Sequence, residues 1–325
     1  MDSAGFSISA HSVSLMAKDR LNSGEKAPAF VSNWIETTDA RIHCVSSGEG
    51  PLILFVHGFP SFWYCWVRQL EVLRHRYQVV AIDAPGAGAT TCANAEEPYR
   101  VSALAAQIHQ FIQIIAPGRK VLLVGHDWGA ALAFAVAQAF PEKIAGVAGI
   151  ASLPFNQILA LLAKDKDQQR RSSYMQRLCA MSLEQAGLVA QSIVAGAYAE
   201  LVSFDAADRE EITLFELACG DPRAFWNGSL WYRANLPNAE RSLQHCMWPI
   251  ADQALAMPSL LIWGEADDVF VPHAPQYFVA KHPNSEVLRL DGVGHWCMLQ
   301  APEQVNAALL DFADRSFGKI AARRG

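Results

Sequence analysis

Basic residues are scarce and unclustered in this sequence. Its 325 residues include 26 Lys and Arg against 32 Asp and Glu, so the net charge is −6 with histidine neutral. No run of Lys and Arg exceeds two or three residues, and nothing in the chain therefore matches the charge of a phosphate backbone. We expect no nucleic acid among its partners.

Paired cysteines and long apolar runs are also missing. The seven cysteines are scattered without a CxxC pair, which argues against a disulfide framework or a structural zinc site. No apolar run reaches 18 residues, so we predict no membrane span. Residues 1–20 lack the basic start and apolar core of a signal peptide. These absences predict a cytoplasmic protein and leave a homodimer open.

Motifs for cofactors and metals are absent as well. A GxGxxG loop beginning at Gly86 needs glycine at position 91, which is Thr, so the segment does not predict a dinucleotide site. The ten histidines show no HExxH and no paired ligand spacing. We therefore expect neither a cofactor nor a metal.

Short apolar runs alternate with helical patterns along much of the chain, in which 51% of residues are hydrophobic. The runs are typical of parallel strands buried on both faces, and they lie at 51–58, 77–83, 120–125 and 143–151. Helical patterns separate them, at 62–75, 101–116 and 130–140. This alternation predicts an α/β fold with a mostly parallel, doubly wound sheet.

The alternation stops after Pro154 and resumes near residue 258, and a closing helix is predicted at 302–316. The intervening stretch has no proline between Pro154 and Pro222 and is rich in Leu, Ala, Gln and Glu, which favour helix. We predict an irregular, loosely attached N-terminal extension, a first core segment, a helical cap and a second core segment, at 1–27, 28–153, 154–245 and 246–325.

The sequence GHDWG at 125–129 lies between an apolar strand and an alanine-rich helix. This G-x-Nu-x-G spacing predicts a nucleophile elbow, a strained turn that holds its central side chain above the sheet. That side chain is Asp127, for which a helix cap is the alternative role. A carboxylate nucleophile favours displacement at an sp3 carbon, which forms an ester that water must then hydrolyse.

Hydrolysis of such an ester needs a base and a group that orients it. In the chain order nucleophile, acid, histidine, the candidates are Asp267 in WGEADD and His295 in GVGHW. Asp268 is the rival of Asp267. HGFP at 57–60 closes the first buried strand, and its loop is expected to place the backbone N–H of Phe59 beside that of Trp128 as an oxyanion hole.

HGFP, GHDWGA, the order Asp127, Asp267, His295 and the helical insertion together resemble the α/β-hydrolase family, in its epoxide hydrolase branch, over about residues 28–316. In that branch two cap tyrosines hold the epoxide oxygen, and the resemblance implies that role for Tyr232 in LWYRAN and, on a looser match, for Tyr174 in SSYMQRL. Opening an epoxide makes an alkoxide that needs a proton donor.

The expected enzyme is thus a hydrolase acting on ether bonds, which converts an apolar epoxide and water to a vicinal diol without a cofactor. Two alternatives stay open. Haloalkane dehalogenases share the Asp elbow and the following tryptophan, but Phe59 stands where their second halide donor, an Asn, is usual. A non-catalytic α/β-hydrolase that binds an apolar ligand is the other.

Overall fold

The computed structural model of the chain describes residues 9–21, 29–204 and 206–318. These residues form one nine-stranded sheet. The strands are β1 Val31–Glu36, β2 Ala40–Ser47, β3 Leu52–Val56, β4 Gln78–Ile82, β5 Thr91–Cys92, β6 Val121–His126, β7 Ile144–Ile150, β8 Ser259–Gly264 and β9 Glu286–Leu290.

The same residues form fourteen α-helices. Their bounds are α1 Ala10–Leu21, α2 Val67–Leu73, α3 Val101–Ile115, α4 Trp128–Ala139, α5 Phe155–Lys164, α6 Lys166–Arg171, α7 Ser173–Ala180, α8 Leu183–Ser203, α9 Arg209–Cys219, α10 Pro222–Asn235, α11 Leu243–Cys246, α12 Ala274–Lys281, α13 Cys297–Gln300 and α14 Pro302–Phe317.

The sheet is mostly parallel, so the predicted α/β architecture is confirmed. Its order is β1-β2-β4-β3-β6-β7-β8-β9, and β5 pairs with β2 off this path. The pairs from β4 to β9 are parallel, and those among β1, β2, β4 and β5 are antiparallel. Every residue of β3 and β6 is buried, which explains their continuous apolar sequence. The chain leaves β3 towards β4 and then returns to add β6 on the other side. Ligands bind at such a switch point, at the carboxyl ends of the strands.

Between β7 and β8, the described residues form helices α5 to α11, which we call the insertion helices. This is the stretch that the composition assigned to a helical cap, and its domain boundaries stay a prediction. Two capping boxes begin α8 and α9: Ser182 pairs with Gln185, and Asp208 pairs with Glu211. Such reciprocal side-chain bonds satisfy the first free N–H groups of a helix.

The expected irregular N-terminus is wrong for residues 10–21, which form helix α1. Val13 and Ser14 are fully buried, and the Ser14 hydroxyl donates to Asp83 at 2.8 Å and accepts from the Trp63 indole at 2.9 Å. The pattern of apolar residues does not predict this helix, because a serine with buried partners lies on its inner face. The rest of the predicted extension, residues 1–8 and 22–27, lies outside the described residues.

Two observations concern the described parts of the chain. No helix there combines the length and apolar character needed to cross a bilayer. Likewise, no three or more His, Cys, Asp or Glu side chains there are grouped so as to hold a metal ion.

Candidate active site

Asp127 occupies the sharp turn between β6 and α4 with φ 53° and ψ −121°. This left-handed φ is unusual for a residue with a side chain and costs backbone strain. The flanking glycines permit the turn: a Cβ on Gly125 would lie 2.1 Å from the Gly129 carbonyl oxygen, and one on Gly129 would lie 2.0 Å from that of Val56. The elbow predicted from GHDWG is the observed geometry.

Asp127, Asp267 and His295 come together at the carboxyl edge of the sheet. His295 Nε2 lies 3.7 Å from Asp127 Oδ2, and its Nδ1 lies 2.8 Å from Asp267 Oδ2. The other Asp267 oxygen accepts the backbone N–H groups of Val269 and Phe270 at 2.7 and 2.9 Å. Of the two adjacent candidate acids, the structure therefore brings Asp267, rather than Asp268, to His295.

Neighbouring charges and burial set the protonation states of His295 and Asp127. Burial alone lowers the pKa of His295, but the Asp267 and Asp127 carboxylates outweigh it and raise that pKa to about 10. Burial raises the pKa of Asp127, and the neighbouring His295 outweighs it, so this pKa lies below its ordinary value. At neutral pH the site therefore holds an ionised Asp127 beside an imidazolium.

The loop after β3 brings a backbone donor to the same carboxylate. The Phe59 N–H donates to Asp127 Oδ1 at 2.9 Å. A Cβ on Gly58 would lie 2.4 Å from that oxygen, so the loop needs glycine there to approach so closely. Trp128 is the first residue of α4, where a backbone N–H has no acceptor within its own helix.

The two candidate tyrosines also meet. Tyr174 on α7 and Tyr232 on α10 pack edge to face with ring centroids 6.1 Å apart, and Tyr232 packs on Trp128 at 5.2 Å. Burial raises the pKa of both phenols, and the Asp127 carboxylate raises each further. Both hydroxyls therefore stay protonated at neutral pH and are able to donate a proton.

These groups share one cavity of about 690 Å³, whose wall includes Asp127, Tyr174, Tyr232 and His295. Most of the remaining wall is apolar and comes from the insertion helices and the His295 loop: Leu178, Met181, Val189, Ile193, Ala197 and Trp296. A cavity of this size and lining suits an apolar small molecule.

Sequence reasoning missed two residues beside His295. The His126 Nε2 lies 3.0 Å from the His295 backbone carbonyl oxygen and donates to it, because a carbonyl oxygen can only accept. Burial, followed by the His295 charge, lowers the pKa of His126 to about 3, so this ring is neutral. Glu200 on α8 lines the cavity, and burial raises its pKa. His126 was visible in GHDWG, but the motif does not give its ring direction, and Glu200 has no motif around it.

Comparison with known proteins identifies the family of this chain. The model of the alpha/beta hydrolase family matches residues 53–308. Epoxide hydrolase 2 of Caenorhabditis elegans is 25% identical over 313 residues, covering 90% of this chain and 85% of that protein. Epoxide hydrolase 4 of Mus musculus is 26% identical over 296 residues, covering 86% and 77%.

Solved structures agree on the fold. A Bacillus megaterium epoxide hydrolase in complex with an inhibitor superposes with a TM-score of 0.77 at 23% identity, covering 87% of this chain and 100% of that one. An epoxide hydrolase from Vigna radiata gives a TM-score of 0.75 at 24% identity, with 88% and 98% covered. With the family match over most of the chain, this protein belongs to the alpha/beta hydrolase family.

Proposed function

We propose that this protein is an epoxide hydrolase, a hydrolase of ether bonds that converts an apolar epoxide and water to a vicinal diol. The observation that carries the proposal is the presence, in one cavity, of an ionised carboxylate at a nucleophile elbow and two protonated phenols. The relatives named as epoxide hydrolases support it.

In the first step, an oxygen of Asp127 attacks a ring carbon of the epoxide. The carbon–oxygen bond of the ring breaks, and an ester forms between Asp127 and the substrate. The departing alkoxide takes a proton from Tyr232 or Tyr174, and the other phenol hydrogen-bonds to the same oxygen. Because both phenols are buried, their hydrogen bonds act without competition from bulk water.

Ester formation changes the charge beside His295. Asp127 helps to hold the imidazolium protonated, and this support disappears when the carboxylate becomes a neutral ester. The pKa of His295 then falls, and the ring releases a proton. This proton replaces the one that the phenol gave to the alkoxide, so the phenol is neutral again. The imidazole becomes a base at the step that requires one, because its pKa moves towards working pH.

In the second step, neutral His295 takes a proton from water, and the hydroxide attacks the ester carbonyl carbon. Asp267 holds the Nδ1–H of the ring, so the free lone pair lies on Nε2, on the side of Asp127. The oxyanion that forms accepts the backbone N–H groups of Phe59 and Trp128. Collapse of the intermediate releases the diol, whose oxygen takes the proton back from His295. The proton that remains on the new Asp127 carboxyl then passes to His295, which restores both the carboxylate and the imidazolium.

Dehalogenation is less well supported, because halide release needs two donors at the leaving group. The Trp128 indole N–H is one donor, but the side chain of Phe59 carries no hydrogen-bonding group. The Phe59 ring packs on Phe225 and Tyr232 at 5.2 and 5.5 Å between ring centroids.

The epoxide hydrolase proposal has three further parts. These are a catalytic triad, a cap formed by the insertion helices and a cytoplasmic location.

A side-by-side turnover assay tests the proposal. Purified protein and Asp127→Asn are given a panel of aryl and alkyl epoxides and primary bromoalkanes, and diol and halide are quantified. We expect diol from the wild type, no halide, and no diol from the variant. Halide without diol, or diol formation that survives Asp127→Asn, would refute the proposed function.

A further inference from the structure

Tyr198 on α8 is fully buried, and its hydroxyl donates to the carbonyl oxygen of Pro60 at 2.6 Å. The ring stacks on Phe215 and on Trp296, with centroids 4.4 and 4.6 Å apart. Aromatic packing of this kind fixes the ring, and the short hydrogen bond fixes the carbonyl that accepts it. The side chain therefore ties α8 to the loop that follows β3.

That loop carries a backbone donor of the active site. Phe59 precedes Pro60 in the chain, and its N–H points at Asp127 Oδ1. The direction of a backbone N–H bond is set by the conformation of its loop, because a change of side-chain rotamer does not alter it. Holding the carbonyl of the next residue thus restrains the direction of the Phe59 donor.

The same stretch of α8 also contacts the loop that carries the base. The Trp296 indole N–H donates to the Ala197 carbonyl oxygen at 2.8 Å, and Trp296 directly follows His295. Ala197 and Tyr198, which are neighbours in α8, therefore contact the loop that carries His295 and the loop that carries Phe59, respectively. The Tyr198 hydroxyl is the part of this contact that can be removed without changing the packing of the ring.

We propose that Tyr198 is a positioning residue for the oxyanion hole. It holds the loop so that the Phe59 N–H meets the Asp127 oxygen that becomes negative when water attacks the ester. This inference rests on the proposed function, because it concerns the second of the two steps. Tyr198 itself touches neither substrate nor the reacting atoms.

The two steps respond differently to the loss of this hydroxyl. Charge builds up on the oxygen facing Phe59 during ester hydrolysis, whereas charge leaves Asp127 during ester formation. A misaimed donor therefore slows hydrolysis above all. Complete loss of an oxyanion donor costs about 100-fold to 1000-fold in kcat, and we expect a loosened one to cost roughly tenfold.

This gives a signature that general damage does not produce. When hydrolysis limits turnover and slows further, kcat and KM fall together while kcat/KM stays constant, and ester accumulates on the enzyme. A variant that is merely destabilised loses active protein, and its kcat and kcat/KM then fall in proportion with KM unchanged.

The experiment compares Tyr198→Phe with Tyr77→Phe. Tyr77 is also fully buried, and its hydroxyl donates to Asp314, a residue of the closing helix α14 that has no part in the proposed site. Steady-state kinetics with an epoxide that the wild type turns over are combined with intact-mass measurement of the ester fraction. Only Tyr198→Phe is expected to lower kcat and KM roughly tenfold and to raise the ester fraction.

The outcomes distinguish failure of the proposed function from failure of the positioning role of Tyr198. If the wild type opens no epoxide, the proposed function fails. If the wild type forms and hydrolyses the ester but Tyr198→Phe behaves like Tyr77→Phe, or loses kcat/KM in step with kcat, the positioning role is refuted. Should Tyr198→Phe not fold, Tyr198→4-fluorophenylalanine, which fills the space of the hydroxyl but has no donor, replaces it, and an unchanged kcat in that variant overturns the inference.

Discussion

Replacing Asp267 by Asn tests how the proposed base is oriented. Asp267 Oδ1 accepts two backbone N–H groups, from Val269 and Phe270, so an Asn keeps its oxygen there and turns its NH2 group towards His295 Nδ1. That nitrogen must then accept a hydrogen bond, which moves the ring proton to Nε2. An imidazole in this tautomer cannot take a proton from water on the side of Asp127.

The expected loss of rate is large, because Asp267→Asn keeps the position of the His295 ring but removes its ability to act as a base. In a Ser-His-Asp triad the same exchange costs about 10⁴ in kcat, which corresponds to about 5 kcal/mol at 1.36 kcal/mol per tenfold. For Asp267→Asn we expect the rate constant of ester hydrolysis to fall roughly 10³-fold to 10⁴-fold. Formation of the ester needs no base and should fall less than about tenfold.

Rapid mixing with quenching and mass spectrometry measures the two constants separately, as formation and decay of the ester on Asp127. Asp268→Asn is the matched control, since it removes the adjacent carboxylate, which does not contact His295. Its hydrolysis constant should stay within about threefold of wild type. The reasoning is refuted if Asp267→Asn slows hydrolysis less than tenfold, or slows both steps equally.

Three further perturbations test other contacts. Tyr232→Phe should lower the rate constant of ester formation by about 100-fold and leave hydrolysis nearly unchanged, and equal losses in a rapid-mixing assay would contradict its role as donor. Asp127→Asn should lower the pKa of His295 from about 10, because it removes one of the charges that hold the proton, and an unchanged NMR titration of the ring would contradict this. Val13→Ala should lower the free energy of unfolding by roughly 2 kcal/mol, whereas Met16→Ala, half exposed on the same helix, should change it little in urea melts.

Residues that act through local spacing could be found in the sequence. Asp127 is identified by its two flanking glycines and by the strand and helix around it, because the elbow is a local structure. His295 follows the last strand in a glycine-flanked loop, and the carboxyl ends of parallel strands meet at one edge. The parallel sheet itself was readable, since its strands are buried on both faces and therefore continuously apolar.

Residues that act through tertiary direction could not be found in this way. Asp267 and Asp268 are neighbours in one loop, and the choice between them depends on which side chain faces His295. Tyr198 lies in a helix whose alanine-rich sequence gives no sign that its hydroxyl reaches Pro60. Helix α1 was missed because its buried face carries Ser14, whose partners come from distant parts of the chain.

Trapping the covalent intermediate tests the central claim most directly. His295→Gln removes the base but leaves Asp127 and the two phenols in place, so the variant should open an epoxide once and stop at the ester. Intact-mass spectrometry should then find the protein heavier by the mass of one epoxide, on the peptide that contains Asp127. An unmodified variant, tested with an epoxide that the wild type turns over, would contradict a mechanism through an ester on this carboxylate.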